Sequence, residues 1–169
     1  MAKIELGDFD TYLRQLDGIK DNIVPMCKAI VYPGAKVLAD AMRAEVEALP
    51  TISDVDAINN WRAGLQNPAL SDSQKAGLVE SLGITPITKD SGGMVQASVG
   101  FTGYNSVTTR HFPGGQPNQE VARSLEHGTS GLKRDAFATR AVRKARAAAE
   151  AAMAAEADAQ IEKRMKENA

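Results

Sequence analysis

Aromatic residues are scarce in this chain: Phe, Trp and Tyr make up 5% of its 169 positions. A core must therefore rest on Ala, Val, Leu, Ile and Met, and a hydrophobic content of 43% is enough to build one. Cysteine is nearly absent. Cys27 stands alone, which excludes an internal disulfide and fits a reducing compartment. The two histidines, His111 and His127, have no metal-ligand spacing, so no metal is expected. No apolar run nears the roughly 20 residues that span a bilayer. The stretch Met1-Ala2-Lys3-Ile4-Glu5 is too polar for a secretory signal. A soluble chain that begins its life in a cytoplasm is expected, with no membrane partner. Net charge is also lacking: 20 basic and 21 acidic residues leave −1, so no global field draws the chain onto DNA or an anionic surface. Phosphate-cradle signals are missing too. Gly114-Gly115 does not join a strand to a helix, and Gly128-Thr129-Ser130-Gly131 lacks the lysine. Glu126 and His127 are helix neighbours pointing about 100° apart, so they cannot act as a facing acid–base pair. Neither catalysis nor a cofactor is expected.

What is present is helical periodicity, then alternation, then helix again. Asp8 caps a predicted first helix with Phe9, Leu13 and Leu16 on its apolar face. Pro25 suits the first turn of a second, which Pro33-Gly34 should kink or break. Ala35, Leu38, Met42 and Val46 then form one stripe, closed by Pro50. Residues 51–70 read as an insertion: Ser53 caps a short helix whose Val55, Ile58, Trp61 and Leu65 should face inward. Ser71-Asp72-Ser73-Gln74 is a capping box opening a helix for which Gly83 is the expected C-cap. Ile84 and Ile87 mark a strand, Asp90-Ser91-Gly92-Gly93 a turn, and Val95, Ala97, Val99 and Phe101 a half-buried strand. Residues 102–118 are a long excursion with a ragged strand near Val107. Asn118 caps a short helix ended by Gly128. Asp135 opens a last helix reaching about residue 166. The fold class is α+β: a small antiparallel sheet packed by helices, with a long C-terminal helix. Residues 1–131 form the compact domain and 132–169 a helical arm longer than that domain can cover.

Three surface features carry the functional reading. Phe101, Tyr104 and Phe112, in and around the glycine-rich loop, read either as anchors on the core or, with Arg123, as interface hot spots. Arg140, Arg143 and Lys144 share a face of the last helix within a basic run that includes Lys133, Arg134 and Arg146. That strip reads as a solvated face, as a docking strip for an acidic partner, or as the lining of a channel for passing DNA. Aromatics interleaved for base stacking are absent from it. Ala138, Ala141, Ala145, Ala148, Ala152, Ala155 and Ala159 form a small-residue stripe expected to pack on another subunit.

The segments Gly34–Arg43, Ser81-Leu82-Gly83-Ile84, Val99-Gly100-Phe101-Thr102-Gly103-Tyr104-Asn105, Gln116-Pro117-Asn118 and Ala122-Arg123-Ser124-Leu125-Glu126-His127-Gly128-Thr129-Ser130 follow one another in a recognisable order. In that order they resemble the neck, or tail-completion, proteins of the tailed-phage head–tail junction, also described as tail components. The Glu-x-Gly-Thr-Ser run is matched by Glu126, Gly128, Thr129 and Ser130. The Pro-Phe-x-Arg-Pro-Ala motif that follows in the family keeps its Phe here, as Phe137, and lacks both prolines. The resemblance covers roughly residues 5–165. It implies a non-enzymatic virion component in a sixfold ring, next to a head-closure or portal-side protein and a tail terminator or tail-tube protein. It makes Asn105, Pro117, Asn118, Glu126, Gly128, Thr129, Ser130 and Phe137 interface candidates beside the aromatic and basic residues above. The alternative is a DNA-binding or packaging accessory that uses the basic strip.

Overall fold

The computed structural model describes residues 23–167; the helix expected over residues 8–20 lies outside them. The fold is α+β, with a long C-terminal helix. Helix α1 (Ile23–Glu47) runs unbroken through Pro33. Proline removes one helical hydrogen bond and usually bends or ends a helix. Here the packing of α1 along the last helix outweighs that loss. The expected stripe is real: Met42 and Val46 are buried and Leu38 is half-buried.

Strands β1 (Thr51–Ile52) and β2 (Leu70–Ser71) pair in parallel around α2 (Asp54–Arg62). Ser53 caps α2, its hydroxyl accepting from the Asp56 N–H at 3.1 Å. The Asp54 carboxylate accepts from the backbone and hydroxyl of Ser73 at 3.1 and 2.6 Å. The Ser71 and Ser73 hydroxyls hold that carboxyl below its usual range. Helix α3 (Asp72–Ser81) opens on the complete Ser71/Gln74 capping box. It does not use Gly83 as its C-cap. Leu82 is already extended, and the Ser81 carbonyl accepts from the Thr102 N–H at 3.2 Å. A strand partner satisfies the helix end, so no left-handed residue is needed.

Strands β3 (Leu82–Ile84), β4 (Thr88–Lys89), β5 (Val95–Gln96) and β6 (Val99–Phe101) make one interrupted antiparallel hairpin. The outer piece pairs Ile84 with Val99 and the inner one Thr88 with Gln96. One more residue is spent on the first strand than on the second across Pro86-Ile87. Proline cannot donate to a ladder, and a bulge absorbs the difference. Val95, Ala97 and Val99 turn inward in alternation with exposed Gln96 and Ser98, as the pattern requires.

Helix α4 (Asn118–His127) leads through a tight corner into α5 (Phe137–Glu167). At 1.5 Å per residue, α5 is about 46 Å long. It runs antiparallel along α1: Glu45 meets Arg140 and Lys144, and Gly34 faces Ala149 and Met153. The stripe expected to seek another subunit thus finds a partner within the chain, with Ala141 and Ala145 buried and Ala152 half-buried, while Ala148, Ala155 and Ala159 stay exposed. The core joins Met42, Val46, Leu49, Leu70, Leu78, Val121, Leu125 and Phe137. Phe101 lies at its edge, its ring centroid 6.0 Å from that of Phe137 in a tilted pair.

Glu45 is only 8% exposed and is held by Arg140 at 2.9 Å and by Lys144. Those two cations hold its carboxyl below the usual carboxylate range despite burial. A lowered folded-state value adds stability that is complete above the unfolded value of about 4.3 and is lost as pH falls from there through the folded value. Glu45→Gln should cost about 1–2 kcal/mol at neutral pH and flatten this acid limb. Urea titrations between neutral and acid pH measure both.

Candidate functional site

The 102–118 excursion is a braced, two-stranded protrusion rather than a loose loop. Tyr104 bridges to Pro117. Above that bridge the Asn105 N–H donates to the Gln116 carbonyl, and the Gln116 N–H to the Val107 carbonyl, both at 2.9 Å. The tip closes where Thr109 and Phe112 exchange two backbone bonds of 3.1 Å around Arg110-His111. No strand forms at Val107, because its pairing stops after this single bond. Gly115 takes φ 108°, and a Cβ there would lie 2.2 Å from the Asn105 carbonyl oxygen. Only glycine fits that position.

Two amides hold the base. Asn118 is 2% exposed. Its Nδ2 donates to the Thr102 carbonyl at 3.0 Å, and its Oδ1 accepts from Asn105 Nδ2 at 3.3 Å. Asn105 Oδ1 accepts from the Val107 N–H at 2.9 Å. Asn118 is therefore no helix cap: Pro117 takes the cap position without a side-chain bond, and the Asn118 amide turns into the interior. Gly77 of α3 makes room for it. A Cβ at Gly77 would lie 2.6 Å from Asn105 Cβ and 2.7 Å from Asn118 Oδ1. The brace leaves Tyr104 69% exposed, with Arg110, His111 and Phe112 also outside.

The Glu126–Ser130 run builds the α4–α5 corner. The Glu126 carboxylate accepts from the N–H groups of Ala138 and Thr139 at 2.9 and 3.3 Å, so a residue of α4 caps α5. Gly128 has φ 75°, and a Cβ there would press on Arg134 Cβ at 2.9 Å. Thr129 Oγ1 accepts from the Gly131 and Leu132 N–H groups at 3.2 and 3.0 Å. Its carbonyl accepts from Gln66, and Asn67 pairs with Gly131 and Lys133 through the backbone. This corner stitches the end of the 51–70 segment to the core.

Several interface candidates are thereby relocated. Phe137 is 1% exposed and belongs to the core, because its ring closes the gap between β6 and α5. Asn105 and Asn118 are buried braces, and the carboxylate of Glu126 is committed to a cap. Phe101 and Pro117 are half-buried at the base of the protrusion. Tyr104, Phe112, Arg123, Thr129 and Ser130 remain on the surface. In the basic strip, Arg140 is shared between Glu45 and Asp135, Lys144 pairs with Glu45, and Arg146 pairs with Glu150; Arg143 is exposed. Three of the six basic residues of the run, Arg140, Lys144 and Arg146, thus face acids of their own chain, while Lys133, Arg134 and Arg143 are exposed.

The sequence reading missed one surface. Val55, Ile58, Trp61 and Leu65, expected inside, are all exposed, with Trp61 at 72%. Other groups of α2 make its contacts: the Asp54 carboxylate with Ser73, and the Ala57 carbonyl with Asn67 Nδ2 at 3.4 Å. Periodicity marks an apolar face but does not supply matter to cover it. The core is already closed by α1, α3, α4 and α5.

Among the described residues, no group of three or more His, Cys, Asp or Glu is placed to hold a metal, and no helix is long and apolar enough to cross a membrane. Comparison with known proteins finds no matching family model, no similar curated protein and no similar solved structure.

Gly77→Ala tests the brace. Alanine favours a helix over glycine by about 1 kcal/mol, yet the added methyl displaces the amide pair. A net loss of about 1–2 kcal/mol is expected from overpacking, together with faster amide hydrogen exchange at Asn105 and Val107.

Proposed function

We propose that this chain is a structural virion protein of the tailed-phage head–tail connector, acting at the neck or tail-completion level by docking rather than by chemistry. The ordered resemblance supplies the context. The observation that carries the docking reading is the braced 102–118 protrusion. Its backbone is tied at base and tip, and buried amides fix its seat. Its exposed side chains, Tyr104, Phe112 and Arg110, are of the types that dominate binding energy at interfaces. A preformed protrusion also loses little conformational entropy when it docks. In this reading the copies form a ring, sixfold by the resemblance, between a head-closure or portal-side protein and a tail terminator or tail-tube protein.

The DNA-accessory reading fares worse. Counterion release needs cations free to meet phosphates, whereas Arg140, Lys144 and Arg146 already face carboxylates. A gel shift with duplex DNA at two salt concentrations should show no salt-dependent complex at micromolar protein.

The decisive experiment deletes the gene from its phage and images the lysate by negative stain. Filled heads and free tails, unjoined, are expected; normal particles would overturn the proposal. Complementation with the Tyr104→Ser/Phe112→Ser double variant should restore joining poorly, while its thermal unfolding stays within about 3 °C of wild type, because both side chains are on the surface.

A further inference from the structure

We draw no further inference here: the strongest candidate, the exposed apolar face of α2 formed by Val55, Ile58 and Trp61, carries none, because nothing in the structure shows what covers it.

Discussion

Helix α5 can lie along α1 only because small residues meet across the seam. Gly34 admits Met153 and the Ala149 backbone, and Ala141 and Ala145 are buried further along. An alanine-rich helix forms readily by propensity, but tertiary packing is what holds a helix in one place. The end of the seam is set by charge. Glu45 receives Arg140 and Lys144 at the mouth of the core, where removing the carboxylate would take the acid from Lys144 and leave Arg140 with Asp135 alone. Once that end is fixed, Phe137 must enter the core and the first turn of α5 must meet Glu126. The corner at Gly128 then has one conformation, and through Gln66 and Asn67 it anchors the chain that follows α2.

The protrusion depends on a second constraint, polar and buried. An unpaired amide in the interior costs about 1–3 kcal/mol, so Asn105 and Asn118 are tolerable only as a linked set. Each finds the other, and each also binds backbone that would otherwise be unsatisfied: Val107 N–H for one and the Thr102 carbonyl for the other. A satisfied network of this kind fixes geometry more strictly than apolar packing does. Gly77 and Gly115 show the same strictness from the other side, since neither position has room for a methyl group. The protrusion is therefore positioned by the core even though its tip touches none of it.

Much of the architecture was legible because its signals are local. The Ser71/Gln74 box, the Ser53 cap, the Gly128 stop, the alternation from Val95 to Phe101 and the long last helix all follow from spacing within a few residues. The errors share one cause: a local pattern does not say what lies opposite. Pro33 reads as a break unless α5 is known to lie alongside. Gly83 reads as a cap unless Thr102 is known to satisfy the helix end. Asn118 reads as a cap because asparagine usually is one before a helix. Phe137 reads as a contact for a partner, yet it fills the core. The candidate site was half legible. Its loop, Tyr104 and Phe112 were named from composition, but the buried role of Asn105 was not, and the apolar face of α2 was assigned to the wrong side of the surface.

That last error bears most on how the molecule could work. An arm packed by its own chain has less to offer a neighbour than an arm left bare, and three of the basic residues near its start, Arg140, Lys144 and Arg146, are matched internally. Exposed apolar side chains stand out on two short features, the helix α2 and the braced protrusion, which differ in chemistry. One shows Val55, Ile58 and Trp61; the other shows Tyr104 and Phe112 with Arg110 near the tip. Both features stand on short, heavily hydrogen-bonded bases and present side chains without reordering the core. A surface braced in this way loses little conformational entropy on docking, because its shape is set before any partner meets it.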